Sequence, residues 1–346
     1  MPNDLKAEIL EFLESNALRS SKEIHEGIKS GKAYATIKRA LTALVSQQYV
    51  VTEGIGKGRK YRIGPVYELS RPVNVEKYFE KEIDERQVKD RFNHGLITGI
   101  LTDVDFFNVE EQQHLNFLHH QFKENITHLD SAAYSKELER LAIDLSWKSS
   151  QIEGNTYSLL ETERLLKDKE TAMGKPKDDA TMLLNHKEAI EFIVQNPDYV
   201  VPLSVSRIED IHTILMGGLG VTRNIRQNRV GISGTNYRPL DNEHQIRDAL
   251  RDMCDLINRK ENVFEKALLA LVLLSYIQGF VDGNKRTARI VSNAILMAYQ
   301  YCPLSYRTVD AMEYKKAILI FYEQNNVSVI KKIFIDQFEF AVQTYF

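Results

Sequence analysis

The stretch 267–298 constrains the fold most, because its character changes sharply in the middle. It reads ALLALVLLSYIQGF, then VDGNKRTAR, then IVSNAILMA. The first part is apolar on every side for about three turns and holds no proline, which is typical of a fully buried helix. At about 20 Å it is too short to cross a bilayer. The third part predicts a second buried helix, so the chain is expected to build a helical core around this pair.

The segment between these helices is polar and contains the residues Asp282, Gly283, Asn284, Lys285, Arg286 and Arg289. Because burying an unpaired charge is costly, these charges must meet solvent, a ligand or partner charges. Gly283 and Asn284 can bring backbone N–H groups to a helix N-terminus, where orphan donors and the dipole favour an anion. The three cations favour a polyphosphate, with the Asp282 carboxylate free for Mg²⁺. The other interpretation of these residues alone is a solvated loop, and the P-loop pattern G-x-x-x-x-G-K-[ST] is absent.

Residues 278–289, QGFVDGNKRTAR, resemble in register the signature of the Fic family, H-P-F-x-D-G-N-G-R-x-x-R. Gln278 replaces the histidine, Gly279 the proline and Lys285 a glycine. Family members typically transfer AMP from ATP to a hydroxyl side chain of a target protein. The resemblance implies ATP as ligand and Mg²⁺ on Asp282. It places catalytic positions at Gln278, Asp282, Asn284 and Arg286, and nucleotide contacts at Gly283, Asn284, Lys285, Arg286 and Arg289.

Two further motifs resemble this family and follow its order, so that the likeness covers about residues 130–346. Residues 149–155, SSQIEGN, are similar to the inhibitory motif [ST]-x-x-x-E-[GN], formed here by Ser149, Glu153 and Gly154. The resemblance implies that Glu153 reaches Arg289 and takes the place of the γ-phosphate. The motif alone would also fit an ordinary capped helix end.

Residues 229–239, RVGISGTNYRP, look like the family's flap, which positions the target. Its predicted residues are Ile232, Gly234 and Tyr237. The pattern is hairpin-like, and its open edge is suited to an extended segment of a target protein that the sequence does not identify.

Gln278 changes the expected chemistry. A histidine titrates near neutral pH and accepts the hydroxyl proton, whereas a glutamine amide does not. Loss of a general base typically costs about 10²–10⁴ in rate, so we expect a nucleotide-binding protein with impaired transfer. Two alternatives stay open. The first is an active adenylyltransferase, or an enzyme that removes AMP with Glu153 as base. The second is a phosphotransferase, because Lys285 resembles the glycine-to-lysine change in the Doc branch of the family.

Residues 1–64 predict three helices followed by two short strands around a glycine-rich turn. Ser20 and Glu23 form a capping-box pattern before the second helix. This order resembles a winged helix-turn-helix, whose third helix enters the major groove of double-stranded DNA. The candidate DNA contacts are Lys38, Arg39, Lys57, Arg59 and Lys60. Winged helices also serve as protein-contact modules, so this alternative stays open.

Charge and composition complete the expectations. Residues 1–64 hold 11 Lys and Arg against 7 Asp and Glu, a charge of +4, which leaves −7 for the remainder of a chain with −3 in total. The two cysteines, Cys254 and Cys302, predict neither a disulfide framework nor a zinc site. Acidic residues stand where a signal peptide needs a basic region, so we expect a cytoplasmic protein without membrane contact. The oligomeric state, including a homodimer, stays open.

The predicted architecture is mainly α: a small winged helix domain (1–64), a linker and helical connecting region (65–130), and an all-helical Fic core with a short β-hairpin flap (131–346). Within the connecting region, the charged stretch 75–91 is predicted to be helical.

Overall fold

A computed structural model of the chain describes residues 5–222 and 224–346, apart from the side chain of Lys57. Its helices are α1 (Leu5–Ser15), α2 (Ser21–Gly27), α3 (Tyr34–Ser46), α4 (Pro65–Ser70), α5 (Val75–Phe79), α6 (Val109–Thr127), α7 (Ser131–Ile152), α8 (Leu159–Asp168), α9 (Lys177–Gln195), α10 (Val205–Leu215), α11 (Glu243–Arg259), α12 (Val263–Ile277), α13 (Asn284–Ala298), α14 (Ala311–Gln324) and α15 (Ser328–Tyr345). Its strands are β1 (Arg19–Ser20), β2 (Val50–Glu53) and β3 (Lys60–Ile63). The predicted mainly helical class is confirmed.

The described chain divides into two compact units. One holds the residues up to Pro72 together with Gln324–Ser328, and the other holds Val73–Glu323 and Val329–Phe346. The first unit therefore extends past residue 64 and includes α4. The domain limits given from the sequence stay predictions.

The smaller unit contains a three-stranded antiparallel sheet with the order β1-β3-β2, packed with α1 to α3. Ile9, Ile37, Leu41 and Leu44 are fully buried in its core, because apolar residues recur at helical spacing in α1 and α3. The predicted capping box is present: the backbone N of Ser20 donates to Glu23 Oε2 at 2.8 Å. The three helices and two strands predicted for this region are also present.

The larger unit is built around α12 and α13, as the apolar pattern predicted. Every residue of α12 is buried, and α12 packs against both α11 and α13. Its two charged residues have partners, because Glu265 Oε1 accepts from the backbone N of Phe106 at 2.9 Å and Lys266 Nζ donates to the carbonyl of Ile257 at 2.9 Å. Helices α7, α9 and α10 pack against α13, so the start of α13 lies where several elements meet.

Two local expectations are wrong. The stretch 75–91 is helical only in α5 and in a 3₁₀ turn, Ile83–Glu85. Tertiary hydrogen bonds override its helix propensity here, since the backbone N of Lys89 donates to the carbonyl of Glu323 at 2.7 Å. The segment 229–239 forms no paired hairpin. Instead Arg238 makes an isolated parallel bridge with Arg91, and its backbone N donates to the carbonyl of Asp90 at 2.8 Å.

Candidate functional site

A cleft of about 470 Å³ lies at the start of α13. Its lining comes from Glu153, from the segment 231–234, from Gln278, from residues 281–286 and from one face of α14. Met312, Lys315, Leu319 and Tyr322 follow that face at helical spacing. The polar end of the cleft therefore lies at the start of α13, and α14 supplies an apolar wall. The structure brings together the motif residues, Glu153 and part of the flap.

Gly283 sets the geometry of the polar end. It caps α13 in the left-handed region, with φ +79°. A Cβ at this position would lie 2.6 Å from Met216 Sδ and 3.4 Å from His212 Nε2, so both backbone and space require glycine. The first backbone bond of α13 runs from Thr287 N to the carbonyl of Gly283 at 2.8 Å. The N–H groups before Thr287 therefore have no carbonyl of their own helix and can meet an anion.

Arg286 is the most informative side chain in the cleft. It is 2% exposed, and its Nη2 donates to Asp282 Oδ2 at 2.9 Å. Its Nε and Nη1 are buried and find no hydrogen-bond partner within the described residues. Since a buried donor without a partner costs about 1–3 kcal/mol, an anion entering the cleft would relieve that cost.

Asp282 lies at the mouth of the cleft with a side chain that is 62% exposed. Its Oδ1 accepts from the backbone N of Gly283 at 2.6 Å. No cluster of three or more His, Cys, Asp or Glu side chains in the described ranges could hold a metal by itself. One exposed carboxylate nevertheless fits Mg²⁺ that arrives with phosphate oxygens, because this ion commonly takes one or two carboxylates plus phosphates and water.

Glu153 is clamped between two cations. Its Oε1 lies 2.9 Å from Arg289 Nη2, and its Oε2 lies 2.9 Å from Lys285 Nζ. The pairing with Arg289 is the one that the family resemblance implies, whereas the pairing with Lys285 was not foreseen. Gly154, with φ +103°, follows the end of α7. The inhibitory role of Ser149, Glu153 and Gly154 stays a prediction.

The clamp perturbs the titration of Glu153 strongly. Burial alone would raise its pKa, but the charges of Arg289 and Lys285 more than offset that effect and lower the pKa to about 2. The carboxylate is therefore ionised throughout the physiological range, and it is a poor acceptor of a proton at neutral pH.

A buried chain of hydrogen bonds through Ser149 and His186 holds Arg289 in place. Its Nε donates to Ser149 Oγ at 2.8 Å, and Ser149 Oγ lies 3.0 Å from His186 Nε2. Because Ser149 Oγ accepts from Arg289, its own proton is directed to His186. Burial, followed by the charges of Arg289 and Arg286, lowers the pKa of His186 well below 6.5, so the imidazole is neutral. Sequence reasoning missed His186, since no motif includes it.

The end of α7 has a second anchor. Trp147 Nε1 donates to the carbonyl of Tyr157 at 3.1 Å, and the ammonium of Lys148 lies 5.1 Å from the centroid of the Trp147 ring. The helix turn that carries Ser149 is therefore tied to the segment that follows it.

Gln278 lies at the C-terminal end of α12 in the left-handed region, with φ 53° and ψ 54°. Its Nε2 donates to the carbonyl of Ser275 at 2.6 Å and lies 3.2 Å from the hydroxyl of Tyr322. Its Oε1 accepts from Asn284 Nδ2 at 3.1 Å. The amide is therefore built into the floor of the cleft through both of its ends.

Neither His212, which contacts the turn at Asp282, nor Tyr322, which contacts Gln278, is an evident substitute base. His212 Nε2 lies 3.0 Å from the carbonyl oxygen of Asp282, which only accepts, so this nitrogen carries a proton. The His212 ring also stacks on Phe280 with centroids 3.7 Å apart. Burial raises the pKa of Tyr322 above its ordinary value of 10, which keeps the phenol protonated.

The predicted flap residues occupy different environments. Ile232 and Gly234 line the cleft, and the carbonyl of Gly234 accepts from Arg86 Nη2 at 2.6 Å. Tyr237 is 2% exposed, and its hydroxyl donates to the carbonyl of Tyr276 at 2.9 Å. Tyr237 is therefore a buried anchor and does not face the cleft.

The predicted DNA-contacting residues lie on the surface of the smaller unit. Lys38 and Arg39 are exposed on α3, and Arg59 and Lys60 are exposed at the start of β3. The side chain of Lys57 lies outside the described part of the chain. Ile55, in the turn between β2 and β3, is 88% exposed. The cations of α3 and of this turn are both accessible within one compact unit.

No helix in the described part of the chain is long and apolar enough to cross a membrane.

Sequence comparisons find relatives for about half of the chain. Residues 202–296 match the model of the Fic/DOC family. The protein adenylyltransferase Fic of Drosophila erecta is 25% identical over 190 residues, which cover 51% of this chain and 36% of that relative. Its counterpart from Nematostella vectensis is 28% identical over 178 residues, covering 49% and 40%. The chain thus spans about two-fifths or less of the length of the curated relatives it matches.

Solved structures give the same picture. A fragment of Fic-1 from C. elegans superposes with a TM-score of 0.59 at 21% identity, covering 68% of this chain and 72% of that chain. A Fic domain containing signaling protein from Bacteroides thetaiotaomicron gives 0.53 at 20% identity, covering 66% and 92%. At identities this low, the superpositions show a common fold and nothing more.

Proposed function

Because this chain contains a Fic domain over residues 202–296, we propose that it binds ATP with Mg²⁺ in the cleft at the start of α13. In this proposal the chain is related to adenylyltransferases, which transfer AMP to target hydroxyls. Its own transfer step is impaired, because Gln278 stands where the family has histidine. The relatives from Drosophila erecta and Nematostella vectensis are both called protein adenylyltransferases. The flap would receive a target protein.

The observation that carries this proposal is the buried guanidinium of Arg286, whose Nε and Nη1 find no partner among the described residues. Phosphate oxygens accept charge-assisted hydrogen bonds from guanidinium N–H groups, and these bonds are stronger than those between neutral groups. The neighbouring N-terminus of α13 adds backbone donors and a favourable dipole. The apolar wall of α14, with Leu319 and Met312, offers a surface for the base of a nucleotide.

The polar residues at the start of α13 and around Glu153 have separate proposed tasks. Arg286 and the N–H groups of α13 would hold phosphate oxygens, and Asn284 keeps the turn in shape by donating to the carbonyl of Phe280 at 2.8 Å. Asp282 would hold Mg²⁺, which when bound neutralises charge that develops on the phosphates. Lys285 and Arg289 would reach phosphate oxygens only after they release Glu153.

The same contacts weigh against the alternatives. Removal of AMP with Glu153 as general base needs a carboxylate that accepts a proton, and a pKa of about 2 disfavours that task. Phosphoryl transfer guided by Lys285 is hampered by the same loss of a general base, because Gln278 stands at the histidine position. Impaired transfer with retained binding fits the cleft best.

A second candidate function belongs to the smaller unit. We propose that its α3 and the turn between β2 and β3 bind double-stranded DNA, with Lys38, Arg39, Arg59 and Lys60 as phosphate contacts. Their common exposure supports this proposal, because phosphate binding needs accessible cations on one unit.

Radioactive labelling tests the proposed chemistry. We expect the wild type to transfer no label from α-labelled or γ-labelled ATP, and Gln278→His to label itself from α-labelled ATP only, because the imidazole restores a base at that position. Equal labelling by both proteins would refute impaired transfer. Transfer from the γ-label would instead favour phosphoryl transfer.

Calorimetry tests the proposed binding separately. We expect Glu153→Gly to bind ATP with Mg²⁺ at least tenfold more tightly than the wild type, because Arg289 and Lys285 are then free for phosphate. Adding Arg286→Gln to Glu153→Gly should lower affinity at least tenfold, as a charged hydrogen bond contributes about 1.5–3 kcal/mol. The matched control is Arg251→Gln, on an exposed position of α11. If Glu153→Gly binds no ATP, the proposal of a nucleotide site is wrong.

A further inference from the structure

A buried arginine outside the three motifs, Arg226, joins carbonyl groups from separate segments of the chain. It is 2% exposed. Its Nε donates to the carbonyl of Gln278 at 2.6 Å, its Nη1 donates to that of Asn228 at 2.7 Å, and its Nη2 donates to that of Leu240. Its own backbone N donates to the carbonyl of Gly279 at 3.0 Å. Arg226 thus contacts four carbonyls, three through its side chain and one through its backbone N.

The positions of these carbonyls give the contact its meaning. Asn228 and Leu240 stand immediately before and after the flap, 229–239, so the guanidinium closes the base of that loop. Gln278 is the last position of the turn that ends α12, where carbonyl groups lack helix partners and carry partial negative charge. A buried cation is favourable at that point.

Only arginine can make this set of contacts. Its planar guanidinium presents five N–H donors in a fixed fork, whereas a lysine ammonium is a compact charge on a flexible stem. Replacing Arg226 by lysine would therefore keep the charge near α12 and leave at least one carbonyl at the base of the flap without its donor.

Two further contacts hold the flap against the same core. The Tyr237 ring stacks on Tyr276 with centroids 4.7 Å apart and planes 17° apart, in addition to its hydroxyl bond to the Tyr276 carbonyl. Near the tip of the flap, Arg86 Nη2 donates to the carbonyl of Gly234, and Arg86 Nη1 lies 3.4 Å from the buried carboxylate of Glu323. The flap is therefore held at its base and near its tip without forming a hairpin.

We infer that Arg226 is a positioning residue, which holds the flap and residue 278 in one fixed arrangement. A target segment carried by the flap then meets the cleft at a set distance from the side chain at position 278. This inference rests on the proposed function in one respect, the use of the flap by a target, whereas the mechanical link between Arg226, the flap and Gln278 does not depend on it.

Hydrogen exchange on the full chain tests the mechanical link without any nucleotide. In Arg226→Lys, amides in the segment 229–240 should exchange at least tenfold faster than in the wild type. The control Arg251→Lys, at an exposed position of α11, should stay within twofold of the wild type. Tyr237→Phe removes the second anchor while keeping the ring, and it should accelerate the same amides. Exchange within twofold of the wild type in folded Arg226→Lys would overturn the inference.

Self-labelling in the Gln278→His background tests the positioning role. Adding Arg226→Lys should lower the rate at saturating α-labelled ATP at least tenfold, while the ATP concentration that gives half the maximal rate stays within twofold. A general loss of folding would change both quantities, and an unchanged rate would contradict positioning. Arg251→Lys, on α11, is the control with neither change expected. If Gln278→His labels nothing, the proposed chemistry fails, and hydrogen exchange still decides whether Arg226 holds the flap.

Discussion

At the scale of single residues, the Glu153 carboxylate and the proposed phosphate groups compete for the same two cations, Lys285 and Arg289. Glu153 carries one negative charge and contacts both Lys285 and Arg289, so the proposed triphosphate would have to displace a carboxylate from two partners. Lys285 occupies a position where the Fic signature has glycine, and this departure supplies the second partner. We expect the resting chain to bind ATP more weakly than a chain with glycine there.

A double-mutant cycle separates the two tasks of Lys285. Lys285→Met should tighten ATP binding about threefold to tenfold in the wild-type background, because a partly exposed ion pair is worth about 1 kcal/mol. In the Glu153→Gly background the same change should not tighten binding, since no carboxylate remains to be released. Calorimetry of the four proteins gives the answer. An identical change in both backgrounds would mean that Lys285 does not restrain Glu153.

Glu153 also predicts a pH dependence of stability. Its pKa is lowered from 4.5 to about 2 in the folded chain, so its stabilising effect is complete above pH 4.5 and is lost as the pH falls toward 2. The shift corresponds to about 3 kcal/mol at most. The difference in free energy of unfolding between wild type and Glu153→Gln should be constant from pH 7 to pH 5 and should shrink below pH 4.5. Denaturant unfolding at several pH values measures it, and a difference that does not depend on pH would contradict the clamp.

At the scale of elements, the start of α13 depends on one glycine. Gly283 has a left-handed backbone, and a Cβ added to it would lie only 2.6 Å from Met216 Sδ. The turn is thereby fixed in the form that exposes the N–H groups of the helix.

Gly283→Ala should destabilise the chain by about 1–3 kcal/mol, because it strains the backbone and displaces Met216. It should also abolish ATP binding in the Glu153→Gly background. The matched control is Gly279→Ala, whose Cβ would lie 3.2 Å from the flexible side chain of Leu250 and whose φ is not positive. Thermal unfolding and calorimetry report both effects. Equal stability of the two variants would show that the turn tolerates a side chain at residue 283.

The sequence predicted elements best where local signals agree. Apolar residues on every side of α12 and the glycine before α13 are local features, and both elements are present as predicted. The prediction of a helix over 75–91 is wrong because its charged residues favour a helix, whereas Arg86 and the backbone of Lys89 bond to Glu323 far along the chain. Arg226 was missed for a related reason, since its partners are backbone carbonyls, which carry no residue identity.

At the scale of the whole molecule, charge is unevenly distributed along the chain. Residues 1–64 carry +4 and the remainder −7. A cationic unit is suited to a phosphate backbone, and an anionic remainder is not. The pairing of Lys285 with Glu153 could not be predicted from the sequence, because their approach depends on the packing of α7 against α13. The family resemblance implied only the other partner of Glu153, which is Arg289.

Gel shifts of the full chain test the DNA proposal. Affinity for double-stranded DNA should fall with salt, with a slope of about −0.9 for each phosphate contact. Lys38→Ala with Arg59→Ala should weaken binding and reduce that slope by about 2, while Arg251→Ala, on α11 of the larger unit, changes neither. Absence of any shift at low salt would favour the protein-contact role of the smaller unit.

Trp147 is the sole tryptophan of the chain, and it lies on the same turn of α7 as Ser149, six positions before Glu153. Its indole N–H bonds to the Tyr157 carbonyl, and a cation lies near its ring. Intrinsic emission excited at long wavelength therefore arises from this turn alone. Displacement of Glu153 by a nucleotide should be visible as a spectral change in the unmodified protein, so the chain carries its own optical reporter of release.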